Sequence, residues 1–365
     1  MMKAGYGQYT GEFHRWLTSY DTEDPAAMLQ LRRSAKLILD NLCEFRATLY
    51  AKAVEHKDTL MIARTHGQLA EPDSFGRLLL DFVEACDQAI RRLEYIIDSE
   101  LSFAKLSGAI GSYAGLDPEL ERETLRILDL EPVRVSTQIM ARDRHSTYMD
   151  ELATIGGTLQ RLAETLWVMS HGLIAEVREP RKAKQKGSSA MPQKRNPIWL
   201  ERTRGLARLL RGYASSMKES IATPECRDIS QSCVERVVFP DATSLVYYLL
   251  EKWTKVIEGL EVFPDTMEEN LARAYDTWAA QRVKVALTDA GVNPEQVYDL
   301  VQDASFKAIE TRQSLAVILR DRPIDLGRVS PSVAEVIGPE KFSKLFDPKD
   351  YIKNGIDVIY ERFAV

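Results

Sequence analysis

The chain of 365 residues is 45% hydrophobic and 28% charged, which gives ample core for two or three folded domains. Its formal charge of −6 leaves no global basic field to draw it to nucleic acid or to a membrane surface, and no apolar run reaches transmembrane length. The four cysteines, Cys43, Cys86, Cys226 and Cys233, form no Cys-x-x-Cys pair and have no histidine at zinc-like spacing, so reduced thiols in a cytoplasmic protein are expected.

The first predicted element is a helix from residue 25 to about 56, with Met28, Leu31, Leu37, Ile38, Leu42, Phe45 and Leu49 at helical spacing. Asp24-Pro25 reads as its start, with Asp as N-cap and Pro at the first helical position. A second helix is expected from about 73 to 105, and a third from about 142 to 177, since no proline falls between Pro132 and Pro180. Further helices fit 197–221, 240–260 and 266–290, and alternating strand patterns are nearly absent. Helices of about thirty residues exceed the usual eight to twenty. Their broad apolar faces exceed what one bundle buries easily, so association with further copies is expected. After about residue 262 the helices shorten and breaks multiply, at Gly291 to Pro294, Arg322-Pro323 and Phe346 to Pro348, as in a small separate helical domain.

Chemistry concentrates in Gly187-Ser188-Ser189-Ala190-Met191-Pro192-Gln193-Lys194-Arg195-Asn196-Pro197, with Glu201 just beyond, at the start of an apolar-periodic helix. Small residues suit a mobile loop; two hydroxyls, a cation and a carboxamide behind it suit removal of a proton from carbon beside a carboxylate. A basic surface loop capping a helix is the plainer reading of such a stretch. Ala63-Arg64-Thr65-His66-Gly67-Gln68 falls in the break between the first two long helices. A histidine there is either an exposed general acid or a capping or core residue. His14 to Asp21, including Thr18 and Ser19, reads as a polar turn ahead of a helix. Arg227 and Arg236 flank Ser232, a set that holds a phosphate bidentately or else closes a helix end in ion pairs with Asp228 and Glu235.

Together these blocks resemble the fumarase/aspartase superfamily. The first matches its Gly-Ser-Ser-x-Met-Pro-x-Lys-x-Asn signature, the second its Thr-His-Gly-Gln block, and the third its Thr-Ser-x-Asp turn. Thr137-Gln138, the Arg142-Asp143-Arg144-His145 run and the stretch from Glu225 to Arg236 are similar to adenylosuccinate lyases in particular. Departures are Gln193 and Gln231 where His is common, Cys226 where Arg is common, and Pro25 where Thr is common. The resemblance implies an all-α fold: a long-helix bundle of the fumarase/aspartase type with a small C-terminal helical domain. It implies a remnant of an N-terminal domain at 1–22, the central bundle at 23–262 and the C-terminal domain at 263–365. Members normally carry a further stretch ahead of the His14 block, with an Arg-Tyr pair and a second active-site histidine, and the expectation is weak activity of this chain alone without it.

For the chemistry, the resemblance implies β-elimination of fumarate from a succinyl-amine nucleotide. Ser188 is then the base and His66 the acid charged by Glu201, while Lys194 and Asn196 stabilise the carbanionic carboxylate. His14, Thr18, Ser19, Thr65, Thr137, Gln138, Ser189 and Met191 bind substrate, with Arg227, Ser232 and Arg236 on its phosphate. No metal or organic cofactor is implied, because the substrate carboxylate is the electron sink. The implied partners are a small-molecule nucleotide and further copies of the chain, as a homotetramer with shared active sites. Two alternatives remain open: a carboxymuconate cycloisomerase or other related lyase, and a catalytically silent homologue acting as a partner subunit.

Overall fold

A computed structural model describes residues 7–181 and 190–363. Ser188 and Ser189, with the loop leading to them from residue 182, lie outside the described residues. Long helices dominate, as expected: α1 (Tyr20–Glu55), α2 (Phe75–Ser99), α3 (Pro118–Ile127), α4 (Asp143–Met169), α5 (Ile198–Glu219) and α6 (Ser230–Glu258). Shorter helices follow: α7 (Pro264–Ala272), α8 (Ala280–Asp289), α9 (Pro294–Thr311), α10 (Leu315–Arg320), α11 (Val333–Ile337), α12 (Pro339–Leu345) and α13 (Pro348–Glu361). Strand is confined among the described residues to an antiparallel hairpin, β1 (Leu60–Thr65) with β2 (Gln68–Ser74), and to two-residue pairings. No helix of the described residues is long and apolar enough to cross a membrane.

Two compact units organise the chain. One gathers the described residues of 1–48, 82–167 and 182–259, the other those of 49–81, 168–181 and 260–365. In the first, the buried stripe of α1 (Met28, Ile38, Leu42, Phe45) shares a core with α6 (Val246, Leu249, Trp253). Phe45 and Trp253 meet edge to face at 6.5 Å, and the Trp253 indole N–H donates to Thr203 Oγ1 at 2.9 Å, so this large ring is buried without an unpaired donor. In the second unit Val283, Leu287, Val301, Leu315, Leu319 and Phe342 form one apolar cluster, and Leu60 and Ile62 of β1 pack with Leu271 and Trp278 in another.

Several boundaries differ from the sequence expectation, two of them because a buried carboxylate is recruited by a distant arginine. Helix α1 begins at Tyr20, with Pro25 inside it. Asp24 does not cap: it is buried, ion-paired to Arg142 at 3.0 Å, and accepts the Met140 N–H at 2.8 Å. Asp21, in the first turn, accepts the Thr18 N–H at 2.8 Å and so ties the incoming turn to the helix start. Helix α4 stops at Met169 rather than about 177, through a turn in which Ala175 takes a positive φ of 52°. That turn delivers Glu176, fully buried, to Arg64 at 2.6 Å and to the Asn270 amide at 2.9 Å. Helix α6 starts at Ser230, ten residues ahead of Pro240, and the stretch expected at 266–290 breaks at Tyr275 and Asp276, both left-handed.

Candidate active site

In the first unit the polar residues before α1 form a tight cluster. The Asp21 carboxylate accepts from the backbone of Thr18, Ser107 and Gly108 and pairs with the Lys105 ammonium at 2.8 Å; both charged side chains are wholly inaccessible. Lys105 Nζ also donates to the carbonyls of Gln138 (2.8 Å) and Gly108 (3.2 Å), which uses all three of its protons. Such a buried pair is tolerable because the other two ammonium protons and both carboxylate oxygens have hydrogen-bond partners. Ser107 and Ser136 hydroxyls bond each other at 2.8 Å, tying the same two loops together.

Against this base lies Arg227, in the loop ahead of α6. Its guanidinium donates to Ser19 Oγ at 3.3 Å and Gln138 Oε1 at 2.9 Å, and stacks over the Tyr20 ring at 4.3 Å. The Gln138 amide N–H donates in turn to the Ala109 carbonyl at 3.0 Å, which fixes which end of the carboxamide faces Arg227. Ser19, Gln138 and Arg227, singled out separately in the sequence, are therefore one bonded group. Thr18 lies beside them, half-buried. Thr137 points elsewhere: its hydroxyl donates to the Cys226 carbonyl at 2.8 Å, and both residues line a cavity of 280 Å³.

Ser232 and Arg236 stand four residues apart on α6 and so share a face. With Tyr20, Glu23 and Phe239 they line a cavity of 570 Å³. Arg236 is largely exposed, 3.9 Å from Glu23, while Glu235 is taken by Arg142 at 2.7 Å. The local pairings of Arg227 with Asp228 and of Arg236 with Glu235 are thus not the ones the structure makes. Burial, reinforced by Glu235, raises the Tyr20 phenol above its usual range and keeps it neutral. Arg227 Nε and Gln231 Oε1 are buried without a hydrogen-bond partner among the described residues. Orphaned polar atoms of this kind fit a ligand or water site.

His66 occupies the tip of the β1–β2 hairpin. Thr65 pairs with Gln68, leaving His66 and Gly67 as a two-residue turn with φ of 53° and 75°. Two consecutive positive φ values match a type I′ turn, which suits right-twisted strands and demands glycine at its second central position. The turn leaves the imidazole exposed. Behind it, Arg64 holds buried Glu176 through two bonds, at 2.9 and 2.6 Å, so the strand that carries the tip is anchored in its own unit.

Lys194, Asn196 and Glu201 surround the start of α5 in the first unit. Lys194 and Glu201 are exposed, and none of the three makes a side-chain hydrogen bond or ion pair among the described residues. Backbone bonds shape the approach: Lys194 N–H to the Met191 carbonyl, and Ile198 N–H to that of Asn196. Met191 is exposed, and so is His14, which takes a positive φ of 59°. Two contributors escaped the sequence. Tyr20 gave no signal beyond its place next to Ser19, and Lys105 marks only the end of a predicted helix.

A family model described as lyase matches residues 4–212. The chain is 38% identical over 364 residues to the adenylosuccinate lyase of Thermotoga maritima, covering 98% of this chain and 82% of the relative. It is 35% identical over 359 residues to that of Bacillus subtilis, covering 97% and 81%. Among solved structures, a fumarate lyase from a Mesorhizobium species superposes with a TM-score of 0.86 at 28% identity, covering 98% of this chain and 79% of that one. The 3-carboxy-cis,cis-muconate lactonizing enzyme of Pseudomonas putida, at 24% identity and a TM-score of 0.84 over 98% and 78% of the two chains, shares the fold.

Proposed function

Because the chain belongs to the fumarase/aspartase superfamily of lyases, in its adenylosuccinate lyase branch, we propose that it releases fumarate from a succinyl-amine nucleotide such as adenylosuccinate. The observation that carries this reading is the bonded group of Ser19, Gln138 and Arg227 beside the cavity of Ser232 and Arg236. It offers hydroxyl and amide donors to a carboxylate, and guanidinium groups to a phosphate.

In the proposed reaction Ser188 takes a proton from the succinyl carbon β to the amine nitrogen. Lys194 and Asn196 face the negative charge that moves onto the adjoining carboxylate. As the C–N bond breaks, the Cα–Cβ double bond of fumarate forms and the nitrogen takes a proton from His66. Glu201 favours the charged imidazolium that makes this donation possible. Thr18, Ser19, Thr137 and Gln138 hold the succinyl carboxylates, with His14, Thr65, Ser189 and Met191 completing the binding surface. Further copies of the chain, as a tetramer, would bring the His66, Ser188 and Thr137 blocks to shared sites. Exposed apolar side chains such as Leu37, Val168 and Leu209 support association.

The test is ultraviolet absorbance with two substrates offered separately: fumarate release is followed with adenylosuccinate, and loss of the conjugated diene on lactonisation is followed with carboxymuconate. Turnover of the nucleotide is expected, with loss of about 10²- to 10⁴-fold in kcat for Ser188→Ala and for His66→Gln. Turnover of only the muconate would assign the other lyase chemistry. Absence of both, in a protein that binds adenylosuccinate, would favour the silent partner subunit. Light scattering that finds a monomer at micromolar concentration would remove the shared site.

A further inference from the structure

We propose that Lys105 is a positioning residue: its buried ammonium clamps three ligand-facing segments into one preset unit. The segments are the Thr18–Asp21 turn, the loop carrying Gly108 and Ala109, and the Thr137-Gln138 stretch. They are distant in sequence and share no secondary structure, yet each sends one acceptor to Nζ: Asp21 Oδ1 at 2.8 Å, the Gln138 carbonyl at 2.8 Å and the Gly108 carbonyl at 3.2 Å. An ammonium has three protons, so no water or alternative partner competes for this one. The Asp21 carboxylate extends the clamp by accepting from Thr18, Ser107 and Gly108, so the turn and the loop are bound through both members of the pair.

What the clamp orients is the group next to it. Lys105 fixes the main chain of Gln138, while Ala109 and Arg227 fix its side chain. Asp21 fixes the turn from which Ser19 meets the same guanidinium. A shift of the buried cation would move the Ser19 hydroxyl and the Gln138 carboxamide apart. Lys105 itself, with no accessible surface, touches no ligand. Its effect on binding, which rests on the function proposed above, is to prepay the ordering of groups that would otherwise be ordered by substrate.

Two measurements test this. The first uses the unmodified protein without ligand. Native-state hydrogen exchange should show the amides of Thr18, Ser107 and Gly108 opening together, with the same dependence on denaturant. Independent openings would overturn the clamp whatever the enzyme's substrate proves to be. The second uses Lys105→Met, and Lys105→Met with Asp21→Asn in case the lone carboxylate prevents folding. If the segments are preset for substrate, KM for adenylosuccinate should rise about tenfold or more while kcat per folded site changes much less. A purely structural role would lower the folded fraction and leave KM unchanged, and that result would overturn the proposal. If the wild-type chain turns over no nucleotide, the function proposed above fails, and the exchange experiment alone decides the clamp.

Discussion

Replacing Arg142 with Met should destabilise the protein strongly at neutral pH and less so in acid. The guanidinium is 1% accessible and bridges Asp24, also 1% accessible, to Glu235, at 3.0 and 2.7 Å, while donating to the Met140 carbonyl at 2.9 Å. Methionine fills most of the volume but leaves two buried carboxylates facing each other, a change that typically costs about 3–5 kcal/mol. Burial already raises both acids above their ordinary values of 3.8 and 4.5, and Arg142 is the largest influence opposing that rise. Without it both should rise further, so the folded state holds protons that the unfolded chain gives up. Stability then falls as pH climbs from the ordinary carboxylate range through the raised values, by about 1.4 kcal/mol for each unit of further shift. Urea unfolding at pH 5.5 and 7.5, at fixed protein concentration, should therefore show the larger loss at pH 7.5. A loss below about 1 kcal/mol at pH 7.5, or one that grows on acidification, would refute the buried-triad account. Adding Asp24→Asn and Glu235→Gln should restore much of what Arg142→Met removes.

Other outcomes follow from single positions. Gly76→Ala should lower stability by about 1–3 kcal/mol, because a Cβ there overlaps the Ala53 carbonyl and the Tyr360 hydroxyl and comes 2.8 Å from the His56 carbonyl carbon; an unshifted thermal midpoint would show that this contact relaxes freely. Burial pushes the Cys86 thiol up to about 12, so a thiol-reactive dye at pH 8 should label exposed Cys226 and Cys233 while Cys86 stays silent until unfolding, as mass spectrometry of the labelled peptides would report. Arg227→Met should weaken adenylosuccinate binding about ten- to a hundredfold in a Ser188→Ala background that holds the substrate unreacted, read by calorimetry, since it removes a charged donor.

The long helices were legible because their apolar periodicity runs for many turns: Met28 to Leu49 on α1 is buried nearly as the spacing says, although Leu37 on the same stretch is exposed. Ends were less so. Asp24-Pro25 has the local chemistry of a helix start, but Asp24 is recruited by Arg142, a residue more than a hundred positions away that no local pattern foretells. Likewise the absence of proline after Pro132 says nothing of Glu176, whose burial against Arg64 and Asn270 turns the chain at Met169. At the hairpin the local chemistry is in the sequence: Leu60-Met61-Ile62 ahead of a His-Gly pair is strand followed by a turn needing positive φ. In the site, Ser19, Gln138 and Arg227 were recognisable as residue types within motifs. Their mutual bonding was not, because Lys105, which gathers the segments of Ser19 and Gln138, lies in none of those motifs.

One feature of the second unit bears on how the protein is made. Its residues come from 49–81, 168–181 and 260–365, and the Tyr360 hydroxyl closes on the Ala53 carbonyl at 2.6 Å across 307 positions of chain. Leu60 and Ile62 likewise find their apolar partners in Leu271 and Trp278. During synthesis, then, the end of α1 and the hairpin must wait uncovered until α7 and finally α13 emerge. The other unit has all its described residues by position 259 and can settle first. Contacts of such long range close slowly and leave apolar strand exposed in the meantime. On the ribosome the end of α1 and the His66 hairpin therefore stay open to misassociation until α13 has emerged.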